Sequence, residues 1–96
     1  MAKFTTRVEL HSASLESDYE KLHSEMEKEN FTRIIVSEDG KKYHMPTAEY
    51  NKDGNYTRDQ VFESAKRAAE KVGKKFSVLV TESTGRTWHN LEAVGK

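Results

Sequence analysis

The sequence predicts an α+β sandwich in which a four-stranded antiparallel sheet carries two helices on one face. Three observations lead there. Residues 3–11 alternate apolar and polar with a period of two, apolar residues recur at helical spacing over about 15–29 and again over about 57–72, and alternating segments follow each helical stretch. With the order strand, helix, strand, strand, helix, strand and one apolar stripe per helix, the economical packing is a split βαβ sandwich. The right-handed crossover rule sets the first and third strands in the centre and leaves the second and fourth at the edges.

The first strand places Phe4, Thr6, Val8 and Leu10 on one side and Thr5, Arg7, Glu9 and His11 on the other. Ser12 and Ser14 are candidate N-caps for a helix from Leu15 to about Glu29, whose stripe is Leu15, Tyr19, Leu22 and Met26. Asn30 suits the helix end. Residues 33–45 read as a hairpin around Asp39-Gly40, a pair that tolerates the positive φ angles of a two-residue loop. That loop pairs Glu38 with Lys41, Val36 with Tyr43, Ile35 with His44 and Ile34 with Met45. Val36, Tyr43, Ile34 and Met45 then face the core, and Ile35 and His44 face away.

Pro46 suits an edge or a bulge, the strand resumes through Thr47–Tyr50, and residues 51–55 read as a loop. Thr57 with Gln60 forms a capping-box pattern. The second helix follows with Val61, Ala65, Ala68 and Val72 as its stripe, widened by Phe62 and Ala69, and Gly73 stops it. Residues 75–82 form the fourth strand, with Phe76, Val78 and Val80 inward and Ser77, Leu79 and Thr81 outward. Beyond it, Thr84-Gly85 reads as a turn. Trp88, Leu91 and Val94 fit either a short helix or a fifth strand. Residues 1–96 are expected to make one domain, with 84–96 as a C-terminal extension.

Hydrophobic residues are 34% and charged residues 33%, which means a small core and a heavily solvated surface. Sixteen basic and sixteen acidic residues cancel. Such neutrality argues against tight, salt-driven nucleic-acid binding over a large area but leaves room for a local patch. With no cysteine there are no disulfides, thiolate metal sites or cysteine nucleophiles, and a cytosolic protein is expected. No leader and no membrane span are expected either. His11, His23, His44 and His89 lack metal-ligand spacing, so no metal and no cofactor are expected. A metal-dependent nuclease would need carboxylates near Asp39, Glu49 or Asp53, again without ligand spacing.

The open sheet face is the place for chemistry. Arg7, Glu9 and His11 project there from the first strand, and Arg33, Ile35 and His44 from the hairpin. Metal-free RNA cleavage needs a base, an acid and a cation for the developing phosphorane charge. Imidazole titrates near neutrality and arginine grips phosphate in a fork, so Arg7, Arg33, His44 and His11 are the candidate catalytic residues. The bland alternative is a solvated face with arginine cross-paired to glutamate. Lys42, Tyr50, Lys66 and Arg67 are the candidate RNA-binding residues, Tyr50 by stacking and the α-helical pair as part of a basic streak with Lys71, Lys74 and Lys75. That streak also complements the helix dipole. An edge strand could pair with a second copy to form a homodimer.

The strand from Lys3 to His11, the helix beginning near Leu15, the Phe31-Thr-Arg-Ile-Ile35 hairpin entry and Met45-Pro46-Thr-Ala-Glu-Tyr50 together resemble the bacterial and phage family named for the type V antitoxin endoribonuclease GhoS. The resemblance spans residues 1–90. It implies a ferredoxin-like fold and cleavage of a toxin's messenger RNA, with single-stranded RNA as the partner. The matched segments carry no catalytic signature, so Arg7, Arg33 and His44 stand on geometry alone. The alternative is a noncatalytic interaction module that binds a protein or a nucleic acid.

Overall fold

The computed structural model describes residues 2–11 and 16–95. The expected N-caps Ser12 and Ser14, and Leu15 of the first stripe, lie outside them. Two helices pack on an antiparallel sheet of three strands, and a separate two-stranded hairpin lies against its other side. The chain runs β1 (Ala2–His11), α1 (Glu16–Lys28), β2 (Ile34–Val36), β3 (Lys42–His44), β4 (Glu49–Gly54), α2 (Arg58–Glu70) and β5 (Lys75–Ser83). The sheet order is β4-β1-β5, with β1 in the centre. The expected four-stranded sheet is thus three strands plus one bridge, in which Thr32 and Asn51 exchange backbone hydrogen bonds of 2.8 and 2.7 Å at the free edge of β4.

β1 follows its alternation. Phe4, Thr6, Val8 and Leu10 are buried beneath the helices, and Arg7, Glu9 and His11 are exposed on the far face. Leu22 and Met26 of α1 and Val61, Ala65, Ala68, Ala69 and Val72 of α2 complete the core with Phe31 and Tyr50. The helix ends form as their residue types require. Thr57 and Gln60 make the reciprocal capping box. At the end of α1, Phe31 N–H reaches Met26 C=O, Asn30 N–H reaches Glu27 C=O, and Asn30 takes φ 68°. This is a Schellman motif with asparagine in the left-handed position, and it seats Phe31 on the core just before Thr32 meets β4. Phe62 departs from the expected stripe and stays 39% exposed, because it lies on the flank of α2 away from α1.

The hairpin differs from expectation by one residue. Ile34 pairs with His44, Ile35 with Tyr43 and Val36 with Lys42. Ser37 N–H bonds to Lys41 C=O at 2.8 Å and Gly40 N–H to Ser37 C=O at 2.9 Å, so the loop is Glu38-Asp39-Gly40, with Gly40 at φ 85°. Asp-Gly serves this three-residue turn as well as a two-residue one. The Asp39 carboxylate selects it by accepting from Ser37 Oγ and from Lys41 N–H. A slip of one residue exchanges the faces. Ile35 therefore goes inward, 4% exposed, together with Tyr43, while Val36, at 46%, lies outside with Lys42 and His44. Tyr43 does not point at the helices as expected.

Residues 51–55 also depart from expectation, since Asn51, Lys52 and Asp53 are strand, paired with Thr5, Phe4 and Lys3. Lys52 is buried and polar in a strand, and it is held by specific partners. Its Nζ donates to Glu29 C=O at 2.6 Å and sits 4.8 and 4.6 Å from the Phe31 and Tyr56 ring centres. Gly54 allows this, because a Cβ there would fall 2.8 Å from the Tyr56 ring. The tail is neither helix nor strand. It lies beside β3 through His44 N–H to Glu92 C=O and Val94 N–H to Lys42 C=O, a single antiparallel bridge at Ala93. Among the described residues no helix is long and apolar enough to cross a membrane.

Two substitutions test this packing. Thr6 is fully buried, and its Oγ1 meets no partner among the described residues. Thr6→Val keeps the shape and removes the orphaned hydroxyl, so urea unfolding is expected to show a gain of about 1 kcal/mol. Asn30→Ala places a Cβ-bearing residue without asparagine's tolerance in the left-handed position and is expected to cost about 1 kcal/mol, whereas Asn30→Gly costs less than half of that.

Candidate functional site

The far face of the sheet is not open along its length. The hairpin and the tail lie over its β4 end, and Arg86 is the link. Its Nη1 donates to Asn51 Oδ1 at 2.7 Å and to Thr5 Oγ1 at 3.3 Å, two side chains that face each other across β1 and β4. Burial draws the Arg86 guanidinium below its ordinary value and the charge of Asp53 opposes that shift. The cation persists, since arginine does not deprotonate in proteins. Around Arg86, a cavity of about 340 Å³ is lined by Ile35, Met45, Pro46, Trp88 and Leu91.

A larger cleft, about 910 Å³, opens between the hairpin tip and the sheet ends. Tyr43 and Trp88 stand in it with ring centres 5.6 Å apart at 59°. Glu38, Asp39 and Glu82 line it with Lys3 and Arg86. Arg86 is committed to Thr5 and Asn51, and the Asp39 carboxyl is held below its usual range by Ser37 and the Lys41 amide. Glu38 and Glu82 take part in no ion pair or side-chain hydrogen bond among the described residues. The cleft therefore joins two aromatic rings to an excess of carboxylates. Sequence reasoning left Trp88 between a short helix and a fifth strand and gave Arg86 no role, because their partners lie on strands about 35 to 80 positions away.

The candidate catalytic residues fall on separate surfaces. Arg7 lies on the far face of β1 between Glu49 and Leu79. His11 shares that face, with Nε2 2.7 Å from Ser77 Oγ. Four residues of extended strand separate the two by about 13 Å, more than one phosphate spans. His44 lies on the outer side of the hairpin with Lys42, turned from the cavity that Ile35 lines. Arg33 acts elsewhere, since its charge reaches His23 and Tyr50 on the helix side of β4. Among the described residues no group of three His, Asp or Glu side chains is placed to hold a metal.

The candidate RNA-binding residues are likewise dispersed. Tyr50 is 1% exposed, edge-on to Phe31 at 6.4 Å and 5.7 Å from the His23 ring, which leaves no face for a base. Arg67 pairs with Glu29 at 3.1 Å and with Ser64, and Lys71 with Glu25 at 3.7 Å, so the basic streak is partly consumed in joining α2 to α1. Lys66 stays exposed on α2.

One polar pair has its own pH signature. Tyr50 Oη and His23 Nδ1 are 2.6 Å apart. Burial raises the Tyr50 hydroxyl well above its ordinary value, so it keeps its proton and donates to a neutral imidazole. Burial, and then the charge of Arg33, lower His23 below 6.5. The unfolded chain thus takes up a proton at higher pH than the folded one, and stability falls as pH drops below about 6.5 toward the folded value. Thermal unfolding between pH 7.5 and 5 is expected to show this loss, above the carboxylate range, and His23→Gln is expected to flatten it. No protein-family model matches the chain, and no curated protein matches it.

Proposed function

We propose that the chain is a noncatalytic interaction module on a ferredoxin-like frame, and that the cleft holding Tyr43 and Trp88 receives a positively charged, extended segment of a partner protein. The frame is supported by the Thr32–Asn51 bridge. It lays the chain entering the hairpin beside β4, in the order Thr32-β4-β1-β5 expected of a split βαβ sheet, with β2 and β3 as an insertion. The observation that carries the ligand class is the pairing of two half-buried aromatic rings with Glu38, Asp39 and Glu82 in one cleft. Aromatic faces and carboxylates both attract lysine and arginine heads, and they repel phosphate. A chain without cysteine needs no oxidising compartment, which supports a cytosolic setting.

The endoribonuclease reading that the resemblance implies requires more. A base, an acid and a cation must converge on one phosphate, and for His44 to join Arg7 the hairpin would have to turn over. What favours a nucleic acid is Trp88 itself, a stacking surface with Lys3 nearby.

Trp88 is the single tryptophan, so its fluorescence reports on the cleft directly. Titration with a lysine- and arginine-rich peptide is expected to change its emission saturably, and Glu38→Lys to weaken binding about tenfold, with a further loss at high salt. No change with the peptide would overturn this reading. Quenching by a pool of single-stranded RNAs instead would favour the nucleic-acid module. Chelator-resistant cutting of that pool, abolished by His44→Ala in a folded protein, would favour the endoribonuclease.

A further inference from the structure

Among the described residues β5 is paired on one side only, and the direction of its other hydrogen-bonding groups can be derived. Val8 N–H bonds to Ala48 C=O at 3.0 Å, so the polar groups of Val8 turn toward β4 and away from β5. Val8 faces Val78 across β1 and β5. In an antiparallel pair such residues form a non-hydrogen-bonded site, and both turn their polar groups outward. The N–H and C=O groups of Phe76, Val78 and Val80 therefore point off the free edge, while those of Ser77, Leu79 and Thr81 bond to β1. Among the described residues no backbone hydrogen bond outside the strands reaches that edge.

The same edge carries unburied apolar surface. Phe76, Val78 and Val80 are only partly covered, although the matching side chains of β1 are buried. Phe62 projects from the flank of α2 opposite the Glu25–Lys71 and Glu29–Arg67 links to α1, which puts it above this edge, 39% exposed. On the far face Leu79 is 64% exposed. Over Phe76–Val80 the usual protections of an edge are missing, since that stretch has no proline and no charged residue.

We propose that β5 pairs antiparallel with β5 of a second copy, Val78 opposite Val78, joining two three-stranded sheets into one of six strands. Three constraints select this register. Outward-pointing residues must face each other, which leaves only even-numbered residues opposite even-numbered ones. Both pairs of helices then stand on the same face of the sheet. With Val78 on the two-fold axis, Phe76 meets Val80 twice and Lys74 meets Glu82 twice, so apolar and charged positions each find their complement. A shift of two residues instead sets Phe76 against Glu82. Each outward pair exchanges two backbone hydrogen bonds, and the strip of Phe62, Phe76, Val78 and Val80 gains cover from the partner. The inference reads association of the chain with itself; it shares Glu82 with the cleft, whereas Lys74 lies outside the cleft, so Lys74→Glu separates the two readings.

Sedimentation equilibrium with hydrogen exchange by NMR, over a wide concentration range, tests it. A monomer–dimer equilibrium is expected, in which the amides of Phe76, Val78 and Val80 gain protection as the protein is concentrated. Those of Ser77, Leu79 and Thr81 are protected throughout. Lys74→Glu sets like charges opposite each other twice and is expected to weaken the dimer about tenfold, and adding Glu82→Lys to restore it. Both positions are exposed, so the fold tolerates the changes. A monomer at every concentration overturns the proposal. So does a dimer that leaves the three outward amides unprotected, or one that ignores the charge exchange.

Discussion

β1 is constrained from four directions at once, and the rest of the molecule is arranged around that. One edge bonds to β4 and the other to β5 along nearly its whole length. One face is covered by α1 and α2, and the other at Thr5 by Arg86. A strand so enclosed leaves its backbone no alternative partner, and water reaches only its exposed far-face residues. Its alternation has to be strict, and it is. The Thr6 hydroxyl, buried without a partner among the described residues, lies at its centre.

Around this strand, charge is used mostly to join elements. Glu29 takes Arg67 from α2 on its carboxylate and Lys52 from β4 on its carbonyl, so one residue at the end of α1 ties together three elements. Lys52 sits dry between two rings. There its ammonium meets a carbonyl dipole and two π-faces, burial lowers its pKa, and the charge of Glu29 opposes that shift. Glu25 holds Lys28 and Lys71 at exposed sites where each pair is worth little alone. Arg67 and Lys71 of the basic streak are taken up in these links, while Lys66, Lys74 and Lys75 stay exposed and enter no ion pair among the described residues.

The layering explains why the imagined catalytic face does not assemble. An open sheet would have shown Arg7, Arg33 and His44 to one ligand. Instead the hairpin, fixed to β4 by Thr32 and closed over three loop residues, turns Ile35 and Tyr43 toward the sheet and His44 outward. The tail fills the remaining gap with Trp88 and Arg86. The ligand-sized space moves from the middle of the face to the margin between the hairpin tip and the ends of β1 and β5, and its chemistry changes from basic to aromatic and acidic.

By itself the sequence determined what depends on local pattern. That covers the period of two in residues 3–11 and 75–82, Leu22 and Met26 of the first stripe and Val61, Ala65, Ala68 and Val72 of the second, the Thr57 capping box, the Asn30 terminus, the stop at Gly73, and an α+β composition with β1 central. These follow from backbone geometry and side-chain type within a few residues. Only the tertiary structure decided the matters that depend on distant partners. Asn51-Lys-Asp-Gly looks like a loop until β1 offers it hydrogen bonds and Phe31 and Tyr56 shelter its lysine. Asp39-Gly40 is compatible with two turns one residue apart, and burial of Ile35, with the grip of Ser37 on Asp39, selects between them. Arg86 and Trp88 carry no local signal, because Thr5, Asn51 and Tyr43 meet them only after the tail has crossed the sheet. Local pattern sets which elements form. Which face each shows to solvent, and so where a ligand can sit, is set by long-range contacts that no window of sequence contains.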